Sequence, residues 1–128
     1  MKIFRGAERN FVPASHENSA SPGVWKKVLA THSDFQPGRV QMINWAKLPA
    51  GNRFAAHYHE DMQEVFIIIQ GQAEMIVNAE TLTLGCGDAI LIEPREIHVM
   101  RSIGREDTEY VVVGVSTGVG GRTVVVDD

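Results

Sequence analysis

His57, His59 and Glu64 are the residues of this chain whose types and spacing could do chemistry. They lie in the stretch G-N-R-F-A-A-H-Y-H-E-D-M-Q-E-V-F-I-I-I-Q-G, residues 51–71. Side chains two apart on a strand project to one face, so the two imidazoles can converge on a single point. The polar residues 60–63 are few enough to turn the chain, and Glu64 then opens the apolar run 65–69 with a carboxylate beside the imidazoles. Two neutral imidazoles and a carboxylate suit a divalent first-row metal such as iron, manganese, nickel, copper or zinc. A fourth candidate ligand, His98, begins a second extended run over residues 98–102. Taken singly, a His-x-His pair on a strand or one buried histidine reads first as ordinary surface or core structure.

The first stretch resembles the first of the two motifs of the cupin superfamily. There a glycine precedes His-x-His by five residues, a glutamate follows after three or four, and a second glycine after six more. Gly51, His57, His59, Glu64 and Gly71 fill all of those positions. The second motif runs glycine, five residues, Pro-x-Gly, two residues, histidine, three residues, asparagine. Gly87, Pro94 and His98 fit it, whereas Glu93, Arg95 and Ser102 stand where proline, glycine and asparagine are usual. The resemblance implies an all-β fold, the cupin double-stranded β-helix or small jelly-roll barrel, with one divalent transition metal on His57, His59, Glu64 and His98. It also raises a question at Arg95, because a glycine there suggests a turn of positive φ. Glu93 frees a backbone N–H that proline lacks, so a reshaped turn is expected, with Arg95 at ordinary φ and His98 still aimed at the metal.

A chain of 128 residues, 44% hydrophobic and 22% charged, is expected to be one soluble domain with one core. The motif-bearing barrel is expected over about residues 48–116, N-terminal strands within 1–47 and a last strand over 122–126. A formal net charge of −4 without a Lys/Arg cluster argues against nucleic acid as a partner. The first ten residues lack the apolar core of a signal peptide, and no run is long enough to span a membrane, so a cytoplasmic protein is expected. Cys86 stands alone, which rules out an intrachain disulfide.

Short extended runs are expected near residues 3–4 (an edge strand) and over 24–30, 39–48, 73–77, 81–84, 89–92, 97–103, 109–116 and 122–126. The apolar parity of 39–48 shifts between Met42 and Ile43, which predicts a bulge or burial on both faces. Turns fall at 31–38, 78–80, 85–88 and 93–96, and glycines 118, 120 and 121 interrupt the last two strands. His16 and His32 are expected to be solvated loop residues.

Alternation also predicts the surroundings of the metal. Parity with Glu64 turns Phe66 and Ile68 inward; parity with His98 does the same for Met100 and Ser102, and parity with His57 for Ala55 and Arg53. Arg53, Ala55, Phe66 and Met100 are the expected substrate pocket, although Arg53 reads first as a solvated strand-end residue. Val65, Ile67 and Ile69 then form an outward apolar row, to be covered by the chain's own N-terminus or by a second copy in a homodimer. Three imidazoles and a carboxylate leave one or two positions of an octahedral shell open, as catalysis requires. The expected function is a metal-dependent, dioxygenase-type enzyme for a small organic molecule, since an apolar lining suits oxygenation better than sugar chemistry. A sugar or sugar-phosphate isomerase or epimerase, and a non-enzymatic metal-binding, ligand-binding or sensor module, stay open as alternatives, because one fold hosts many functions.

Overall fold

Short β-prone runs punctuated by glycine, asparagine and proline fold into eleven strands in the computed structural model, which describes residues 4–34, 39–116 and 122–127. They are β1 (Val12–Pro13), β2 (Trp25–Thr31), β3 (Val40–Leu48), β4 (His57–His59), β5 (Met62–Gln70) and β6 (Gln72–Val77), followed by β7 (Glu80–Gly85), β8 (Ala89–Ile92), β9 (His98–Ser102), β10 (Thr108–Ser116) and β11 (Thr123–Val125). Two antiparallel sheets result, ordered β1-β2-β3-β10-β5-β8 and β11-β4-β9-β6-β7. The chain passes repeatedly from one sheet to the other, which makes the pair the expected double-stranded β-helix. No helix among the described residues is long and apolar enough to cross a membrane.

The core lies between the sheets and follows from strand alternation. Met62, Glu64, Phe66 and Ile68 of β5 are buried, as are Thr108, Tyr110 and Val112 of β10, Ala73 and Met75 of β6, and Met100 of β9. Turn chemistry sets the registers. Asn78 and Ala79 both adopt positive φ (45° and 73°), the two-residue hairpin turn whose twist matches its strands, between β6 and β7. Gly71, at φ 80°, turns the chain from β5 to β6, where a Cβ would come within 2.7 Å of the Asp107 carbonyl oxygen.

The N-terminal expectation changes. Phe4 is exposed and outside any strand, and the first strand is β1, because pairing with β2 is available only from Val12 onward. Ile3, the second half of the 31–38 turn and glycines 118, 120 and 121 lie outside the described residues. The expected irregularity of β3 is present on both sides. Register slips on β2 between Val28 and Ala30, opposite Asn44 and Ile43, and against β10 it slips across Met42 and Val40. Ser102 faces inward as expected, and its hydroxyl meets that of Thr108 at 2.8 Å, which donates to the Gln72 carbonyl.

Residues 14–24 form a strap that leads into β2 and closes on itself. Ala14 N–H donates to the Val24 carbonyl, and the Glu17 carboxylate accepts from Gly23 N–H (3.0 Å) and Ala55 N–H (3.1 Å). Gly23 is held so close to the next segment that a Cβ would collide with the Arg53 carbonyl oxygen. Gly23→Ala should therefore destabilise the protein by about 1–3 kcal/mol in denaturant titration, as overpacking does elsewhere. Gly85→Ala, whose nearest neighbour would be the Asp88 side chain at 3.9 Å, should cost far less.

Candidate metal centre

His57 and His98 stand directly opposite each other in the antiparallel pairing of β4 with β9, and their ring centroids are 4.4 Å apart. His59 follows two residues on, on the same face, while Glu64 comes from β5 in the facing sheet. One sheet thus supplies three imidazoles and the other a carboxylate. All four side chains are buried, and one ligand atom from each lies within 4.8 Å of the others.

The outer nitrogens fix the ring orientations. His57 Nδ1 lies 2.7 Å from the Ala55 carbonyl oxygen and His98 Nδ1 2.9 Å from that of Glu96. A carbonyl only accepts, so both Nδ1 atoms carry the proton and both Nε2 atoms present a lone pair. His59 Nδ1 meets the Thr123 hydroxyl of β11 at 3.0 Å, which can orient it the same way. Facing inward, His59 Nε2 approaches Glu64 Oε1 to 2.8 Å and His98 Nε2 approaches it to 3.2 Å. Yet His59 Nε2, Glu64 Oε1 and His98 Nε2 are buried without a hydrogen-bond partner. Lone pairs this close require a cation or a proton between them. Burial pushes the His57 imidazole down to about 3, with His98 and His16 adding to the effect. Burial raises the Glu64 carboxyl, but hydrogen bonding and charge from His59 and His98, in the forms that carry a proton toward it, prevail and bring it down to about 2. A neutral imidazole beside an ionised carboxylate is the ligand state, and these residues fit a divalent first-row ion.

A family model for the cupin domain matches residues 44–114, more than half of the chain. The chain is a cupin. It is 29% identical over 73 residues to an uncharacterized protein of Methanocaldococcus jannaschii, a match covering 57% of this chain and 58% of that protein. It is 28% identical over 67 residues to a protein of Thermotoga maritima named as oxalate-binding, covering 52% of this chain and 55% of the relative. The matched stretch thus spans little more than half the length of these curated relatives. Among solved structures, a predicted oxalate decarboxylase of Thermotoga maritima superposes with a TM-score of 0.79 at 22% identity, over 90% of this chain and 99% of that one.

In this cupin the second motif keeps its shape despite its substitutions. Arg95 adopts φ 69°, not the ordinary φ expected for it. The left-handed turn survives because it lets Arg95 N–H donate to the His59 carbonyl at 2.7 Å, which ties the turn to β4 and offsets roughly 1–2 kcal/mol of strain. Glu93 N–H, absent in a proline, donates to Glu96 Oε1 at 2.7 Å. His98 accordingly stays in the cluster.

A cavity of about 280 Å³ opens beside the cluster, with His57, His59 and Glu64 in its wall. Of the four residues expected to line it, Phe66 does. Arg53 is exposed and bridges to Arg101 over a separate surface hollow, and Ala55 spends its N–H on Glu17. Regular strand begins only at His57, so alternation does not carry back to these two, and Phe54 takes the inward place. Met100 faces inward as expected but is sealed in the core. His16, expected to be solvated, instead lies with its ring 4.3 Å from His57 and lines the cavity, where burial pushes it down to about 4. His32 is exposed at the cavity rim. Lys26, Asn44 and Thr123 are further lining residues that the motifs do not contain. Lys26 and Asn44 do carry a signal, since each shares its strand face with buried apolar residues, Val24 for one and Ala46 and Leu48 for the other.

His57→Ala or His59→Ala should abolish most divalent-metal uptake while circular dichroism shows the fold intact, because the core is apolar and independent of the cluster. Thr123→Val should weaken uptake by about 10–100-fold through loss of ring orientation. Metal held as tightly by the alanine variants as by the parent would show that the ion binds elsewhere.

Proposed function

We propose that this cupin is a metal-dependent enzyme of the dioxygenase type that binds one divalent first-row ion per chain on His57, His59, Glu64 and His98 and acts on a small organic molecule. The observation that carries this proposal is the position of the cluster in the wall of a cavity, not sealed in the core. An ion held by three imidazoles and one carboxylate would keep coordination positions for a ligand. A bound redox-active ion would supply electron transfer between substrate and dioxygen. The protein's own part is to hold the imidazoles neutral and oriented through Ala55, Glu96 and Thr123, and to shape the space beside them. Phe54, Phe66, Met42, Met62 and Val112 make much of that wall apolar, which favours an organic skeleton over a sugar. The name of the oxalate-binding relative favours a second possibility, binding of a small ligand without turnover.

Oxygen uptake separates the two. The iron-loaded protein, offered small aromatics, diketones and thiols, should consume dioxygen with at least one class, and Glu64→Ala should abolish the activity. Tight ligand binding without oxygen consumption across the panel would assign a binding module instead.

We also propose that a second copy of the chain covers the outer face of the larger sheet. Ile67 and Ile69 are 37% and 39% exposed there, and Leu91 is 49% exposed. Val65 pairs with Leu91 on β8 and with Val113 on β10, so the apolar row continues across strands. Among the described N-terminal residues, Phe11 packs elsewhere, under the ammonium groups of Lys27 and Lys47 at the β2–β3 end. Ile67→Glu would bury a charge in such an interface, and sedimentation should shift from dimer to monomer. A parent protein that sediments as a monomer would contradict the proposal.

A further inference from the structure

Part of the cavity wall, on the sheet that also carries Glu64, is built by residues outside both motifs, and it is polar at two positions where strand alternation would place apolar groups. Lys26 on β2 is opposite Ala46 on β3, and Asn44 is opposite Val28. Lys26 and Asn44 are therefore diagonal cross-strand neighbours on the inner face, with Cβ atoms roughly 7–8 Å apart or less, within reach of one small ligand. Both line the cavity.

Neither has its needs met by the protein. Asn44 is only 7% exposed, and its side-chain oxygen is buried without a hydrogen-bond partner. Lys26 is half-buried, and among the described residues no carboxylate pairs with its ammonium. Desolvation consequently lowers its pKa. Glu17, whose carboxylate approaches His16, is committed to the N–H groups of Gly23 and Ala55. His16 adds a third group, with its buried Nε2 4.0 Å from Glu17 Oε2 and unpartnered. A half-buried cation without a counterion is costly unless a ligand completes it, whereas the unpartnered Asn44 oxygen is an acceptor that only a donor can satisfy.

We infer that Lys26 forms an anion subsite with Asn44 beside it, and that the cavity takes a small organic carboxylate whose carboxyl group pairs with the Lys26 ammonium and accepts from Asn44 Nδ2. His16 Nε2 offers the carboxylate a further hydrogen bond from the strap. The apolar wall of Phe66 and Val112 then holds the rest of the molecule. This subsite deepens the proposed function by naming its substrate class. It rests on the cavity and not on turnover, so it can be tested without any reaction.

Calorimetric titration at fixed ionic strength provides the test, with pyruvate against pyruvamide and benzoate against benzamide as probes. Both the zinc-loaded and the metal-free protein are titrated, and metal content is measured in every sample. The parent should prefer at least one carboxylate over its amide by tenfold or more in both forms. Lys26→Met should erase that preference while metal content and thermal midpoint hold, and Asn44→Leu should reduce it. The comparison of acid with amide on the parent needs no variant, so a poorly folding variant does not remove the test. Equal binding of acid and amide, a preference that survives Lys26→Met, or one that vanishes when the metal is removed would overturn the subsite. None of these outcomes bears on oxygen uptake, whose failure would leave the subsite standing.

Discussion

Two buried imidazole nitrogens, His59 Nε2 and His98 Nε2, approach Glu64 Oε1 to 2.8 and 3.2 Å, and none of the three atoms has a hydrogen-bond partner. That arrangement is costly in a low-dielectric interior unless a cation or a proton lies between them. Much of the architecture serves to hold it. The pairing of β4 with β9 sets His57 against His98, β11 brings Thr123 behind His59, and β5 delivers Glu64 from the opposite sheet. The Arg95 turn fastens the start of β9 to the His59 carbonyl, so even the one strained residue of the second motif is tied to the cluster.

The cavity divides along the chain. Its metal wall comes from β4 and β5, inside the stretch that matches the cupin family. Lys26 and His16, which also line the cavity, lie before residue 44, where that match begins, and Asn44 stands at its first position. The proposed metal ligands and two of the residues proposed to meet the ligand, Lys26 and His16, thus lie in different parts of the sequence. A fold that keeps the first and varies the second can serve many reactions.

This division also explains what was legible in the sequence. Histidines two apart, a glutamate after a short turn and glycines at positive φ are local signals, and they located the cluster and the barrel together. Strand alternation placed Phe66, Ile68, Met100 and Ser102 inward, because β5 and β9 are regular strands. It failed at Arg53 and Ala55 because no regular strand precedes His57. His16 was not legible at all: it lies in an aperiodic polar loop whose return over the cavity depends on Glu17 bonding to Ala55, 38 residues away. Lys26 was legible in principle, as a cation sharing its strand face with buried Val24, but a single inward lysine has no meaning until the opposite wall is known.

The most direct test of the metal centre is anomalous diffraction from crystals grown with manganese or iron. One ion should refine at about 2.0–2.2 Å from His57, His59 and His98 Nε2 and from a Glu64 carboxylate oxygen, with its remaining positions open to the cavity. An ion bound elsewhere, or a cluster that stays empty while its atoms move apart to find protein partners, would contradict the account.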